Sequence, residues 1–380
     1  MDFALADSHR AIQARARAFA DHTLRPVIAA LDAERRLPPE HVAALAAEGL
    51  LAIHWPKEHG GAGLDTLAYA LVLEELARVS PAHAILVSVH ATLVGVPLLT
   101  FGTAEQKAAW LPRMARGEIL GAFAMTEANA GSDAAAMKST ARRDGEEWVL
   151  NGEKVMVTNG GPAGLVLAFA TVDPAKGAKG LTAFLVPADD AGVTRGPRDR
   201  HMGLHPADVR TLHFENVRLP ADARLGDEGH GMKVALSALN VGRIGVAAQA
   251  VGIAAEVTDR AVAYARTRKQ FGPELVAFGA IGEMLAHMAV ERDVARLLTH
   301  EAALARDRGE VFSHLSARAK WTASEAAVRA ADLCIQVHGG WGYDESVGVE
   351  RYARDARVTT LYEGTSEMQK LVVARHAVTA

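Results

Sequence analysis

The chain has 380 residues, of which 49% are apolar and 23% are charged, and its formal net charge is −4. This balance is typical of a soluble globular protein of two or three domains. No basic patch stands out, so nucleic acid is not an expected partner. The single cysteine, Cys334, excludes an internal disulfide framework and a multi-cysteine metal site, and its apolar neighbours predict a core position.

The N-terminus has no apolar segment of signal-peptide length, and Asp2 and Asp7 lie close to its start. This pattern argues against secretion and against a transit peptide. The most apolar stretch, His83 to Leu99, is interrupted by Ser88 and His90, and it is shorter than the ~20 residues that span a bilayer. We therefore expect a buried helix there, no membrane partner and a cytoplasmic protein.

The first third of the chain is rich in Ala and Leu and carries helix start and stop signals. Pro38 and Pro39 precede an apolar run that ends before Gly49, which is the usual asymmetry of proline at a helix start and glycine past its end. The segment Leu64 to Ser80 has no Gly or Pro and reads as another helix. Residues 1–121 are therefore predicted to form an N-terminal α-helical domain.

The middle of the chain has the pattern of strands. Trp148 to Val157 holds two β-prone runs around Asn151-Gly152, and Asn-Gly is the strongest short-range hairpin signal. Leu181 to Val186 and Thr211 to Leu219 are further predicted strands. Because no helical pattern separates these strands, residues 122–231 are expected to form an antiparallel sheet, a β-barrel or a sandwich.

Long helices return from Met232 onward. Glu283 to Arg308 and Val311 to His338 contain no Gly or Pro, and another helix runs through Ala254 to Phe271. Together they predict an antiparallel four-helix bundle over residues 232–380. The predicted fold class is α+β and mainly α, with a helical domain, a middle β-barrel domain and a C-terminal bundle.

Two motifs that could carry other chemistry are weak. Gly60-Gly61-Ala62-Gly63 is followed by a helix, but no strand precedes it, so a nucleotide-binding βαβ unit is not expected. His201 and His205 have the spacing of metal ligands on a helix, yet Gly203 and Pro206 predict a loop there and no third ligand is obvious. We expect no metal.

A short string near the C-terminus, LYEGTSEMQK from Leu361 to Lys370, holds the strongest candidate for a catalytic side chain. The carboxylate of Glu363 is followed at once by Gly364, so it can lie on a tight turn and point into a cavity. Ser366 and Gln369 also fit an ordinary capping box at a helix start. The string alone leaves both interpretations open.

This string resembles the signature of the flavin-dependent acyl-CoA dehydrogenases, in which the glutamate removes a proton beside a thioester. The resemblance covers nearly the whole chain, in the order helix, sheet, helix, and it is closest to the short-chain members. It implies FAD as the cofactor and an acyl-CoA as the substrate. It also implies that Glu363 is the catalytic base, which takes the α-proton while a hydride leaves the β-carbon for the flavin.

Two segments of the middle domain resemble flavin-binding strands of that family. In the first, FAMTEANAGSD, the resemblance assigns Phe123, Met125 and Thr126 to the cofactor and Ser132 to the substrate. In the second, VMVTNGG, Thr158 is implied to hydrogen-bond flavin N5. Met156 is also an implied cofactor contact, although most relatives have Trp at this position. Without the resemblance, the two segments read as a strand with a turn and as a plain barrel strand.

The C-terminal region supplies the other implied contacts. The strings RTRKQFG and QVHGG resemble elements that reach the flavin of a neighbouring subunit, and Gly279 stands where relatives often carry Gln. The implied cofactor contacts are Arg268, Gln270, Phe271, Gln336, Gly339, Gly340, Thr365 and Glu367. The further implied substrate contacts are Asn240, Arg243, Tyr362 and Gly364.

The resemblance implies α,β-dehydrogenation of a short or branched short acyl-CoA to the trans-2-enoyl-CoA. It also implies an electron-transfer flavoprotein as the electron acceptor and a homotetramer, a dimer of dimers, as the working form. Two alternatives stay open. One is a flavin oxidase or monooxygenase of the same fold, although such monooxygenases generally lack this glutamate. The other is a non-catalytic acyl-CoA-binding protein.

Overall fold

The computed structural model describes residues 4–379, in which a helical region is followed by a β-sheet and then by a second helical region. The helices of the first region are α1 (Asp7–Phe19), α2 (Ile28–Glu34), α3 (Pro39–Ala47), α4 (Thr66–Val79), α5 (Pro81–Ser88), α6 (Val96–Phe101) and α7 (Ala104–Ala115). The strands are β1 (Leu120–Ala124), β2 (Thr140–Asp144), β3 (Glu147–Thr158), β4 (Ala163–Thr171), β5 (Leu181–Pro187), β6 (Val193–Arg198), β7 (Val209–Pro220) and β8 (Arg224–Leu225). The later helices are α8 (Gly231–Thr267), α9 (Gly279–Asp307), α10 (Ser313–His338), α11 (Glu350–Arg357) and α12 (Ser366–Thr379).

The predicted helices of the first region form, and their ends follow the capping residues. The side chain of Asp65 accepts a hydrogen bond from the backbone N–H of Ala68 and begins α4. Ser80 ends α4 and also begins α5, where Pro81 takes the first helical position. The π-helical segment Val89–Gly95 joins α5 to α6, so the apolar stretch is one interrupted buried helix, as predicted.

Two helical stretches are long and apolar enough to cross a membrane by length and composition alone. They are Pro81–Phe101 and Gly231–Thr267, and 83% and 78% of their most apolar windows are buried inside the fold. Apolar side chains all around a helix are also typical of a helix in the core of a protein. Both stretches contribute to the main apolar core that joins the two helical regions.

The sheet differs from the predicted antiparallel arrangement at one strand. Its order is β6-β7-β3-β2-β4-β5-β8, and β1 pairs with β4 in parallel from Leu120–Ala163 to Ala124–Ala168. A parallel pair needs a long crossover connection, and β2 with β3 provides it. Apart from a single parallel bridge from β2 to β4, the remaining pairs are antiparallel. Among the described strands the hydrogen-bonded order is open at β6 and β8.

The predicted hairpin at Asn151-Gly152 is wrong, because β3 runs straight through these residues. The actual turn lies between Asp144 and Glu147, where β2 and β3 pair. Gly152 has φ 148° and lies where the register of β3 against β7 shifts. A Cβ built on Gly152 would lie 2.2 Å from Oγ of Ser139. This glycine therefore serves a bulge and a close contact rather than a turn.

The C-terminal helices α8, α9 and α10 pack against one another and α12 packs on α10, and the fold class is confirmed. Cys334 lies in the core, fully buried, as expected. Helix α8 also packs against α4, and two glycines allow this close approach. A Cβ at Gly252 would lie 2.3 Å from the carbonyl oxygen of Glu74, and one at Gly245 would lie 2.2 Å from the Tyr69 hydroxyl.

We expect Gly152→Ala to destabilise the sheet, because the added methyl group meets Ser139 and the backbone conformation is unfavourable for alanine. The cost should be about 1–3 kcal/mol. Gly145→Ala is the matched control, since Gly145 also has positive φ but no atom lies within 4 Å of its built Cβ. Chemical denaturation of both variants measures the difference. Equal losses would contradict the close contact at Gly152.

Candidate active site

Glu363 lies on a tight turn between α11 and α12. Its own φ is 52° and that of Gly364 is 91°, so two consecutive residues adopt left-handed backbone conformations. The Ser366–Gln369 capping box, which the sequence left open as one interpretation of this string, does not form in the described structure. Oγ1 of Thr365 accepts from the backbone N–H of Met368 at the start of α12, whereas Ser366 donates to Glu325. The turn at Glu363 and Gly364 therefore leads directly into the first residues of α12.

Three side chains hold the backbone of this turn. Nζ of Lys320 donates to the carbonyl oxygens of Thr359 and Gly364, both at 2.8 Å. Oγ of Ser324 also donates to Thr359, at 2.9 Å, and Nε2 of Gln369 donates to Gly364, at 2.8 Å. We expect such a set of donors to stabilise a backbone that is unfavourable for a residue with a side chain.

Sequence reasoning missed Lys320. It lies on α10, three residues from Ala317 and Ala323, which are fully buried, and it is fully buried itself. Residues at this spacing share one face of a helix, so the small side chains around Lys320 indicate that it points into the core. A lysine among small apolar residues on one helix face is the sequence signal that could have identified Lys320.

The Glu363 carboxyl group faces α8. Its Oε2 atom is buried and has no hydrogen-bond partner within residues 4–379. A Cβ built on Gly242 would lie 2.0 Å from this oxygen and 2.8 Å from the Leu93 side chain. Burial raises the pKa of Glu363 to about 7, and the positive charges of Lys320 and Arg243 act against that rise. The carboxyl group can thus exchange a proton near neutral pH.

Two predicted substrate contacts, Arg243 and Asn240, lie together on α8. Nη1 of Arg243 donates to Oδ1 of Asn240 at 2.9 Å, while its Nε atom is buried and has no hydrogen-bond partner in the described part of the chain. The hydroxyl of Tyr362 donates to Gln249, which in turn donates to the Pro81 carbonyl. Asn240 and Arg243 therefore lie on α8, the helix that faces Glu363, and Tyr362 is hydrogen-bonded to the same helix.

The two middle-domain segments are tied to each other by a buried ion pair. Nζ of Lys154 lies 2.8 Å from Glu127 and 3.2 Å from the Met125 carbonyl, and the Val155 N–H donates to Thr126. Burial acts to raise the pKa of Glu127, but the hydrogen bond from Lys154 and those from neighbouring N–H groups hold it at about 2. The pair fixes Met125 and Thr126 beside β3.

The second segment is not a plain strand. Met156 has φ 56° at a register shift of β3, and its side chain is 66% exposed. Val157 remains buried, and Thr158 is half-buried. Ser132 lies exposed in the loop that follows Glu127. An exposed methionine next to Thr158 fits the wall of an open cofactor site.

The implied contacts to a neighbour's flavin meet at a second place. A cavity of about 640 Å³ is lined by Arg268, Gln270, Gln336, Gly339 and Gly340, together with Tyr264 and Trp341. Phe271 lies next to this group and is 96% exposed. Glu363, Thr126 and Thr158 are not among the lining residues. Thr365 and Glu367 lie at the start of α12, close to Glu363 in the chain. Gly279 begins α9 and is exposed.

These residue types fit FAD. A guanidinium such as that of Arg268 binds a pyrophosphate, and amide and backbone groups at Gln270 and Gly339 can bond the remaining polar edge. The apolar wall at Met125 and Met156, with the Thr158 hydroxyl, suits the isoalloxazine ring. Bound FAD supplies a hydride acceptor. Within residues 4–379 no group of three or more His, Cys, Asp or Glu side chains could hold a metal ion.

Three family models match the chain. They are the N-terminal domain of acyl-CoA dehydrogenase at residues 6–118, the middle domain at 122–217 and the C-terminal domain at 229–378. The chain is 43% identical to the human mitochondrial short-chain specific acyl-CoA dehydrogenase over 372 residues, which cover 98% of this chain and 90% of that protein.

Solved structures agree. The butyryl-CoA dehydrogenase of Megasphaera elsdenii has a TM-score of 0.98 at 37% identity, with both chains fully covered. A chain in a structure of the electron transferring flavoprotein of Acidaminococcus fermentans gives the same values. A glutaryl-CoA dehydrogenase of Mycobacterium smegmatis in complex with FADH2 has a TM-score of 0.94 at 32% identity, covering 99% of this chain and 96% of that one.

The fold, the family models and the flavin-binding relatives define an FAD-dependent oxidoreductase that acts on the CH–CH group of acyl-CoA. The three domain models together span most of the chain. The protein belongs to the acyl-CoA dehydrogenase family, whose flavoproteins act in fatty acid β-oxidation.

Glu363→Gln is expected to keep FAD and acyl-CoA binding but to slow flavin reduction by roughly 10²–10⁴-fold, because the amide cannot accept a proton. In the parent protein the rate should rise with pH through about 7, since only the ionised carboxylate is a base. Anaerobic mixing with butyryl-CoA, followed by flavin absorbance, measures both effects. Glu310→Gln, at an exposed carboxylate paired with Arg308, is the control. Normal flavin reduction in the Glu363 variant would contradict this assignment.

Proposed function

We propose that the protein oxidises short-chain acyl-CoA thioesters, about four carbons long, to trans-2-enoyl-CoA. The observation that carries the proposal is the buried Oε2 of Glu363, which lies against Gly242 and has no hydrogen-bond partner among the described residues. A base in a closed apolar site can remove the weakly acidic α-proton of a thioester if the developing charge is stabilised. The relatives named as short-chain and butyryl-CoA dehydrogenases support this substrate class.

The geometry of α8 supports a short acyl chain. Gly242 faces the base, and Gly245 lies one turn further on the same face, ~4.5 Å along the axis. At Gly245 a built Cβ would meet the Tyr69 hydroxyl at 2.2 Å, Oγ of Ser88 at 2.5 Å and Leu73 at 3.1 Å. Tyr69 also donates to Ser88 at 2.9 Å. We infer that these side chains form the end wall of the acyl site.

The residues of the turn have distinct roles in this proposal. Glu363 takes the α-proton, and its backbone N–H donates to the thioester oxygen as negative charge develops there. Gly364 lets the backbone approach the thioester closely. Arg243 and Lys320 place two positive charges near the carboxylate, and these charges limit the rise in its pKa that burial causes. The Tyr362–Gln249 hydrogen bond holds the preceding residue against α8.

We further propose an electron-transfer flavoprotein as the acceptor, a cytoplasmic location and a homotetramer. Unpartnered apolar surface supports assembly. On α9 the side chains of Val290, Val294 and Leu297 are 62%, 44% and 50% exposed and recur at helical spacing. An exposed apolar surface of this kind usually marks a protein–protein interface. The cavity at Arg268, which Glu363 does not line, supports a flavin shared between neighbouring subunits.

A substrate panel tests the proposed reaction. Straight-chain thioesters from four to sixteen carbons, with branched and aromatic ones, are mixed anaerobically with the flavoprotein. Flavin reduction should be fastest with the four-carbon substrate and should fall steeply for longer chains, because Tyr69 and Ser88 block the site. Oxygen uptake in the same reactions separates an oxidase, and binding without reduction would indicate a non-catalytic acyl-CoA-binding protein. A maximum at long chains would contradict the end wall.

Arg268→Ala tests the shared cofactor site. The loss of a charged hydrogen bond to the pyrophosphate should weaken FAD retention about tenfold or more. Arg266→Ala is the matched control, because Arg266 is also exposed but does not line the cavity. The ratio of FAD to protein after gel filtration, together with sedimentation to check the oligomer, gives the result. Equal FAD retention in both variants would contradict the role of Arg268.

A further inference from the structure

Lys320 is a fully buried lysine that the reaction outlined above does not require as a reactant. Burying an ammonium group is unfavourable unless it is paired and hydrogen-bonded. Here the group donates to two carbonyl oxygens, of Thr359 before the catalytic residue and of Gly364 directly after it. The two acceptors thus lie on both sides of Glu363 in the chain. Such a contact connects α10 to the turn at two points.

We propose that Lys320 is a positioning residue of the dehydrogenation: it clamps the turn around Glu363 and keeps the carboxylate of Glu363 ionised. The proposal rests on the function proposed above and deepens it. The clamp orients the N–H and the carboxyl group of Glu363, which must reach the same substrate. The charge acts on the base through the buried surroundings, where electrostatic interactions are strong.

The surroundings of the carboxyl group make Lys320 a main source of compensating charge. Arg243 from α8 and Lys320 from α10 are the positive groups that lower the pKa of Glu363. From α4 comes the neutral Tyr69, and Tyr362 precedes the base.

Around Lys320 itself, burial lowers the pKa to about 8. The negative charges of Glu363, Glu325 and Glu367 act to raise this pKa, whereas the positive charge of Arg243 acts to lower it. Because opposite charges favour each other's charged forms, Lys320 and Glu363 each support the ionised state of the other.

The first test compares three variants by the pH dependence of flavin reduction. Lys320→Met removes the charge and the donors, and Lys320→Gln keeps a donor without charge. Ser324→Ala is the matched control, because it removes a neutral hydrogen bond to the same Thr359 carbonyl. In both Lys320 variants, we expect the pH at which the rate of flavin reduction falls on the acidic side to rise by about one unit or more. It should stay in place in Ser324→Ala.

The second test needs no turnover. The folded pKa of Glu363 is raised from 4.5 to about 7, so its carboxyl group contributes stability below pH 4.5 that is lost as the pH rises to about 7. The increase in melting temperature caused by Glu363→Gln should therefore grow with pH and level off near pH 7. In a Lys320→Met background it should continue to grow above pH 7.

The two tests separate the possible failures. A parent protein that reduces its flavin with none of the thioesters contradicts the proposed function, while the melting experiment still decides on Lys320. In one outcome both Lys320 variants keep the parent's pH dependence of flavin reduction and the parent's pH at which the Glu363→Gln effect levels off, and lose only melting temperature. Lys320 is then merely structural, and the inference is overturned. Lys320→Gln keeps the test usable if Lys320→Met does not fold.

Discussion

The active site depends on one unfavourable arrangement: a carboxylate buried against the backbone of α8. Desolvation alone favours the protonated form of Glu363, and Gly242 leaves just enough room for its Oε2 atom. The arrangement needs compensating charge, which Arg243 and Lys320 supply from two helices. It also needs a rigid turn, because two consecutive residues have positive φ. The long helices α8 and α10 therefore surround the Glu363 carboxyl group and also form part of the core.

The fold could largely be predicted from the sequence because local signals and the global pattern agree. Prolines and capping residues mark α3, α4 and α5 where the structure places them. The failures share one cause, which is that tertiary contacts override local propensity. Asn151-Gly152 has the composition of a hairpin turn, yet the glycine is used to pass Ser139 closely. Serine often caps a helix, yet the Ser366 hydroxyl donates a hydrogen bond to Glu325 on the neighbouring helix α10.

The residues of the candidate site also divide into those that the sequence indicates and those that only the folded chain shows. Glu363, Arg243 and the cavity residues around Arg268 belong to continuous strings that a single sequence displays. Lys320 and the Lys154–Glu127 pair do not, because their partners are distant along the chain and a lysine usually lies on a solvated surface. Only the folded chain shows that these charges are buried. The flavin-contacting roles of the site residues stay predictions that rest on the family resemblance and on this geometry.

The ion pair of Glu127 with Lys154 bears on how the protein responds to low pH. Its carboxylate has a pKa lowered from 4.5 to about 2, so the stability that it contributes is complete above pH 4.5 and is lost only as the pH falls toward 2. Glu363, with a pKa of about 7, becomes protonated much earlier. Between these limits the ion pair still holds Met125 and Thr126 beside β3, while the Glu363 carboxyl group is protonated. We therefore expect mild acidification to leave this contact of the middle domain intact, and neutralisation to return the Glu363 carboxylate.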